Sequence, residues 1–296
     1  MLDHKQSDAF LAVIETGSFE HAGLKLCVTP SAISLRVQAL EKELGQLLLI
    51  RGRPCTPTQA GLQVLEYLQH CQRLEQNLLH HLKGKTEQQF FKVILATNAD
   101  SLATWLLPLL QPVIIRENIA LDIKLDDQSR TYSLLETGAA NACISIESKP
   151  MKGCESQLLG IVRYKMVATP QFYKKWFKSG VTRQALRAAP AIIFNDHDQM
   201  HINILYKLFG LAKGTYPCHF IPSSESFTHA IQLGLGYGMV PEFQLKTALE
   251  RNELIEILPE ALTEMELYWH HWKRQSAAPL AKLTEHLIQY APTVLK

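Results

Sequence analysis

A chain of 296 residues exceeds one typical domain and has room for two or three core-forming units. With 47% hydrophobic residues, 20% charged residues and a formal net charge of +2, the composition is that of a soluble globular protein. There is no apolar run of about 18 residues to cross a membrane. The start, Met1-Leu2-Asp3-His4-Lys5-Gln6-Ser7, lacks the basic-then-apolar pattern of a secretory leader, so a cytoplasmic protein is expected. Six cysteines, at 27, 55, 71, 143, 154 and 218, form no Cys-x-x-Cys pair, and reduced thiols are expected. A redox pair of Cys143 with Cys154 is the alternative.

The first predicted helix covers residues 5–16, with Phe10, Val13 and Ile14 on one face. Gly17-Ser18 breaks it, and Ser18 can cap a second helix over 19–26 that turns Phe19, Ala22 and Leu26 inward. Thr29-Pro30-Ser31 then offers a capping hydroxyl followed by proline at the first helical position. The third helix, 30–44, carries Ile33, Val37, Leu40 and Leu44 on its inner face, and Gly45 ends it. Its other face presents Ser31, Ser34, Leu35 and Gln38, with Arg36 beside them. Small hydroxyls near a helix start allow close approach to phosphates and base edges. On pattern alone, a helix-turn-helix and a generic three-helix bundle with a solvated polar face fit equally well.

Gln46-Leu47-Leu48-Leu49-Ile50 reads as a short apolar strand, and Arg51-Gly52-Arg53-Pro54 as a turn with two cations at its tip. Such a turn suits a wing lying over phosphates or a minor groove, or an ordinary solvated loop. Residues 1–60 carry six Lys/Arg and six Asp/Glu, so this region lacks the net basic footprint usual for nucleic-acid binding; the placement of Arg36, Arg51 and Arg53 matters more.

The stretch from Phe19 to Arg51, with Ser31-Ala-Ile-Ser34, Leu40-Glu-Lys-Glu-Leu-Gly45, and Thr58-Gln-Ala-Gly61, resembles the signature of LysR-type transcriptional regulators. Gly23 stands where that family usually has a second alanine, and Pro30 and Leu35 stand where glutamine is common. The resemblance implies a winged helix-turn-helix whose DNA contacts fall at Thr29, Pro30, Ser31, Ser34, Leu35, Arg36, Gln38, Arg51 and Arg53. It also implies a homodimer or tetramer on double-stranded operator DNA, with RNA polymerase as a further partner.

Residues 57–83 form a long predicted helix whose Val64, Leu68, Cys71, Leu74, Leu78 and Leu82 recur every three or four positions. A second chain is the simplest cover for that stripe, and packing against its own chain is the alternative. Lys83-Gly84-Lys85 reads as a hinge. The expected division is a DNA-binding domain at 1–60, a linker and dimerisation helix at 61–88, and an effector-binding domain at 89–296.

From about residue 90, strand-like and helical runs alternate. The strands are expected at 91–96, 121–125, 142–146, 165–168, 191–194, 219–221, 237–240 and 267–272, an α/β pattern. It resembles the two-lobed fold of type 2 periplasmic binding proteins, which LysR-type regulators share. That fold puts lobe one at about 90–162 plus 268–296 and lobe two at about 163–267. Ligands in such sheets bind beyond strand carboxyl ends, often at helix N-termini. This selects Asn98, Asp100, Ser101 and Thr104 after the first strand, and Asp127 and Ser129 after the second. Ser145 and Glu147 follow the third; Asp196, Asp198 and Ser224 come from lobe two. Hydroxyls and carboxylates of this kind suit a zwitterion with an extra cation, although each Asp or Ser taken singly is also an ordinary helix cap.

Asn98 through Pro108, Arg130-Thr131, Val181-Thr-Arg183, Asp198-Gln-Met-His201, Pro217-Cys-His219, Ser223-Ser-Glu225 and Tyr268-Trp-His270 resemble the ArgP/LysG subfamily over essentially the full length. That resemblance implies no cofactor, a lysine or arginine effector, and control of basic amino-acid export or metabolism genes. An amino-acid-binding protein without DNA binding is the competing reading. His197-Asp-Gln-Met-His201 resembles a zinc-hydrolase motif with Asp for Glu, but lacks a third ligand. His270 and His271 point to opposite faces of a strand, and Gly234-Leu-Gly-Tyr-Gly238 has the wrong spacing for a dinucleotide loop. No enzyme is expected.

Overall fold

The computed structural model describes residues 2–83, 90–127, 131–136, 138–196, 198–273 and 278–295. These fall into two compact units, one built on the first part of the chain through the long helix and one on residues 87–135 and 140–296.

The first unit begins with α1 (His4–Thr16), α2 (Phe19–Leu26) and α3 (Pro30–Leu44). Each starts at a side-chain cap, with Asp3, Ser18 and Thr29 accepting from the backbone N–H of Gln6, His21 and Ala32. Gly17, Cys27 and Gly45 end them in left-handed conformation. Phe10, Val13, Ala22, Ile33, Val37 and Leu40 are fully buried in one core. Two strands, β1 (Leu49–Ile50) and β2 (Thr56–Pro57), pair antiparallel as a small wing, and α4 (Gln59–Lys83) follows.

Two features of this unit differ from the sequence reading. Leu44 is 36% exposed rather than inward. The inner position at that end of α3 belongs to Glu41, whose buried carboxylate accepts from Leu48 N at 2.9 Å and Leu49 N at 3.3 Å. A charged group is tolerated there because it satisfies the donors of the arriving wing strand. Along α4, Leu65 and Leu68 are buried in the N-terminal core, so the first turns of the long helix do pack on their own chain. Leu74 and Leu78 remain about half exposed, at 48% and 57%.

Glycine is required at two places. A Cβ on Gly61 would stand 2.0 Å from the Leu48 carbonyl oxygen, where the wing crosses the start of α4. Thr58 secures that crossing: its hydroxyl donates to Leu47 O at 2.7 Å and accepts from Gly61 N at 3.0 Å. A Cβ on Gly23 would stand 2.7 Å from Val28 O and 3.3 Å from Pro30 N. The turn into α3 is therefore too tight for alanine without movement.

The second unit opens with β3 (Phe91–Thr97), α5 (Ala99–Ser101), a π-helical stretch (Leu102–Leu106) and α6 (Leu107–Arg116). There follow β4 (Ile119–Leu125), α7 (Thr131–Glu136), β5 (Ala142–Ser145), β6 (Cys154–Ala168), α8 (Pro170–Trp176), α9 (Arg183–Ala188) and β7 (Ala191–Ile193). The chain continues through α10 (Gln199–Phe209), β8 (Cys218–Phe220), α11 (Ser224–Gln232), β9 (Gly238–Pro241), α12 (Glu242–Glu250), β10 (Ile255–Glu256), β11 (Thr263–Trp272) and α13 (Ala278–Val294). Among the described residues one seven-stranded sheet runs β10-β6-β11-β5-β3-β4, with β9 also on β6, and β7 pairs with β8.

The expected strand 165–168 is only the end of the fifteen-residue β6. That strand pairs with β11 over Cys154–Tyr164, then with β9 and β10 over Tyr164–Ala168. The expected lobe boundaries at 162/163 and 267/268 therefore lie inside continuous strands. Cys143 and Cys154 are both buried but sit on β5 and β6, with β11 between them. Their backbones are about two interstrand spacings apart, roughly 10 Å, beyond disulfide reach. All six cysteines are free, and the Cys143–Cys154 redox pair is not supported.

Candidate functional site

In the first unit, Thr29, Pro30, Ser31, Leu35 and Gln38 are exposed, and Ser34 and Arg36 are partly exposed. Leu35 is 67% exposed, high for an aliphatic side chain on a helix with a fully packed opposite face. The Thr29 hydroxyl both caps α3, at 3.2 Å from Ala32 N, and lies 3.0 Å from Ser31 Oγ. Thr16–His21, Ser34 and Arg51–Cys55 line one open groove between the recognition edge and the wing. Arg51 is held there from two sides. Its guanidinium is 5.6 Å from the centroid of the Phe19 ring and 3.9 Å from Glu41 Oε2. The wing tip is tied to the α1–α2 turn by Cys55 N donating to Gly17 O at 2.8 Å. Small hydroxyls, one exposed leucine and two arginines on a rigid frame can meet a duplex at both groove and backbone.

In the second unit, a recess enclosing about 610 Å³, part of it open solvent, lies at strand ends of both lobes. Asn98 and Asp100 reach it from the β3–α5 junction, Asp126 and Asp127 from the end of β4, and Tyr164 from β6. Asp198 enters as the N-cap of α10, Ser224 and Thr228 from α11, and Gln244 from α12. Phe194, Met200, Phe227, Met239 and Pro241 supply apolar walls. Four carboxylates and no cation stand among the described lining residues.

Asp100 joins the parts. Its Oδ1 accepts from Ser224 Oγ at 2.6 Å and its Oδ2 from the Tyr164 hydroxyl at 2.8 Å. Burial pushes its pKa above the usual carboxylate range; the bonds from Ser224 and Tyr164 pull it down, and Asp127 pushes it up again. Asp198 is raised by burial too, against backbone N–H bonds from Phe194 and His201, with Asp127 and Asp100 adding repulsion. An acidic recess of this kind gains stability from a cation that restores favourable charge balance.

Of the effector candidates from the sequence, Asn98, Asp100, Asp127, Asp198 and Ser224 line the recess. Ser101 is buried and does not line it. Thr104 turns its hydroxyl back to Asp100 O at 2.6 Å, as helix threonines do. Ser145 is buried and accepts from Glu147 N at 3.2 Å. Glu147 is exposed, and its carbonyl bonds the buried His270 ring at 2.7 Å. Asp196 is exposed and pairs with Lys213 at 3.0 Å. These five do not line the recess, because strand-end position fixes a residue's neighbourhood but not its side-chain direction. Ser129 lies outside the described residues. Tyr164, Thr228, Gln244 and the apolar walls were missed; Met200 lies within the quoted Asp198-Gln-Met-His201 motif, and the others come from positions with no cap or motif signal.

His197 also lies outside the described residues, while His201 is fully buried against Tyr216 and Tyr237, with ring centroids at 6.1 and 5.6 Å. Burial pushes its pKa down to about 4. Its site is a hydrophobic interior, and no group of three or more His, Cys, Asp or Glu among the described residues could hold a metal ion. Gly234–Tyr237 is the turn between α11 and β9, and Gly238 is the first residue of β9.

Comparison with known proteins agrees with this division. Residues 4–62 match the model of the bacterial regulatory helix-turn-helix protein, lysR family, and residues 94–292 match the LysR substrate binding domain. The HTH-type transcriptional regulator ArgP of Photobacterium profundum is 40% identical over 294 residues, 99% of this chain and 98% of that protein. The crystal structure of ArgP from Mycobacterium tuberculosis superposes with a TM-score of 0.81 at 33% identity, covering 98% of both chains. Full-length LysG from Corynebacterium glutamicum with bound effector Arg gives 0.73 at 32% identity, again over 98% of each. These relatives are named as regulators, which sets aside the hydrolase and the free amino-acid-binding protein. With both LysR family models matched, and with ArgP and LysG alike to it in sequence and fold over nearly their whole length, the chain belongs to the LysR family of DNA-binding transcriptional regulators, in the group represented by ArgP and LysG.

Proposed function

We propose that this regulator responds to a basic amino acid, lysine or arginine, and controls genes of basic amino-acid export or metabolism. The observation that carries the reading is the recess itself: Asp100, Asp126, Asp127 and Asp198 with apolar walls and no lining cation among the described residues. A cationic head on an aliphatic stem matches carboxylates and apolar walls together. LysG, which carries bound Arg in its solved structure, supports the choice of ligand class.

In this reading a homodimer or higher oligomer sets α3 into the major groove of double-stranded operator DNA. Ser31, Ser34, Leu35 and Gln38 face base edges, Thr29, Pro30 and Arg36 lie beside them, and Arg51 and Arg53 meet phosphate or minor groove. RNA polymerase is the further partner. The effector acts by its differential affinity for two arrangements of the protein, and by no more than that.

Calorimetric titration of the full-length protein with L-lysine, L-arginine and L-norleucine tests the ligand. Binding of at least one basic amino acid and none of norleucine is expected; no binding of either basic amino acid refutes the reading. Ser34→Ala should reduce preference for the upstream DNA of the regulated gene over unrelated DNA, and an unchanged preference removes Ser34 from base readout.

A further inference from the structure

Asp100 heads a chain of hydrogen bonds that runs along the wall of the recess through α11 and α12. Ser224 Oγ donates to Asp100 Oδ1 at 2.6 Å and accepts from Gln244 Nε2 at 2.7 Å. Gln244 Oε1 in turn accepts from the Thr228 hydroxyl. Thr228 Oγ1 also lies 3.3 Å from the Ser224 carbonyl oxygen, one helical turn back. Ser224 and Thr228 are buried, and Gln244 is partly so.

A serine hydroxyl has one proton, as does a threonine hydroxyl, and a carboxamide donates only from nitrogen. While Asp100 is ionised it can only accept, so Ser224 must give it its proton. Ser224 must then receive from Gln244 nitrogen, which leaves Gln244 oxygen facing Thr228. One charge fixes the direction of every bond. If Asp100 takes a proton from solvent, the chain can run backwards with nothing left over. Asp100 donates to Ser224, Ser224 donates to Gln244 oxygen after the carboxamide turns over, Gln244 nitrogen donates to Thr228, and Thr228 donates to the Ser224 carbonyl.

We propose that Gln244 and Thr228 are positioning residues of the effector recess: acting through Ser224, they hold the Asp100 carboxylate in its ionised, cation-accepting form, and the whole chain reverses when Asp100 is protonated. This deepens the reading of the recess as a cation site and rests on it. The other groups facing Asp100 set the background. Tyr164 on β6 donates to it at 2.8 Å, while Asp126 and Asp127 after β4 and Asp198 at α10 share the recess. From α11 and α12 the described lining groups are uncharged: Ser224, Phe227, Thr228 and Gln244. A cation arriving among these carboxylates favours the ionised direction and so orders the hydroxyl and carboxamide groups by which α11 and α12 line the same recess.

The test is the titration midpoint of Asp100, followed by carbon NMR of aspartate-labelled full-length protein without ligand and assigned with Asp100→Asn. Gln244→Leu should raise the midpoint by about one pH unit, because Ser224 is no longer held as a donor. Gln244→Glu, nearly the same shape, should raise it further, since its carboxylate competes for the Ser224 proton. Thr228→Val, which removes the proton that holds Gln244 oxygen, should raise it too, by less than Gln244→Leu. A midpoint unmoved by both Gln244 variants overturns the proposal, as does one unmoved by Thr228→Val. Titration with L-arginine separates the two readings. If the midpoint moves but L-arginine and L-lysine bind neither wild type nor variants, the ligand assignment fails and the relay stands. If L-arginine binds with the same pH profile in wild type and Gln244→Leu, the relay is refuted and the ligand assignment stands.

Discussion

The Arg51 guanidinium lies over the face of Phe19, 5.6 Å from the ring centroid, so the first cation of the wing is braced by the first residue of α2. A cation–π contact at an exposed site contributes about 0.5–1 kcal/mol. Its larger effect is to aim a side chain that would otherwise sample many rotamers. Arg51→Ala should weaken binding to all duplexes alike and lower the slope of log K against log salt by about one per protomer. Arg51→Lys should recover only part of the affinity, because an ammonium lacks the flat fork that stacks. Salt titration of DNA binding checks both, and an unchanged slope for Arg51→Ala removes Arg51 from the phosphate contacts.

Gly23→Ala restores the residue usual in the family but should destabilise this protein. The added Cβ would stand 2.7 Å from the Val28 carbonyl oxygen, a backbone atom in the turn that places Pro30. Overpacking of this sort costs about 1–3 kcal/mol. Denaturant unfolding followed by circular dichroism should show an earlier midpoint; a midpoint equal to wild type means the turn shifts at no cost.

His201 should make the protein acid-sensitive. Burial lowers its pKa from 6.5 to about 4, so between those values the unfolded chain binds a proton that the folded protein does not. Stability is therefore full above about pH 6.5, falls as pH drops toward 4, and changes no further through this group below that. The total is on the order of 3 kcal/mol. His201→Phe, which keeps a ring against Tyr216 and Tyr237, should flatten that part of the stability–pH curve. An identical slope in the variant would clear His201.

Leu74 and Leu78, 48% and 57% exposed on α4, present apolar surface that nothing in the described chain covers fully. In the proposed dimer a partner helix covers them. Leu78→Glu should shift the protein toward monomer in sedimentation at micromolar concentration and weaken DNA binding with it. A dimer of undiminished stability would place the contact elsewhere.

The sequence by itself determined α1, α2 and α3 almost to the residue, because their information is local: a capping side chain, an apolar period and a left-handed stop. It also determined the outer edge of α3 and the cations of the wing, since a helix whose inner face is known has its outer face fixed by geometry. The alternating pattern of the second unit and the junction residues Asp100, Asp127, Asp198 and Ser224 were legible for the same reason.

Only the tertiary structure decided the rest. Glu41 reads as a surface residue until the wing arrives with two backbone N–H groups that need an acceptor. The first half of β6 is too polar to read as a buried strand, and it is a strand because β11 pairs with it. Asp100 and Ser224 meet across 124 positions of sequence, and Tyr164, Thr228 and Gln244 join them from three further elements or turns. Periodicity and capping are short-range physics and can be read along a chain. Which acceptor meets which donor at long range depends on how sheets and helices pack, and that exists only once the whole unit has folded.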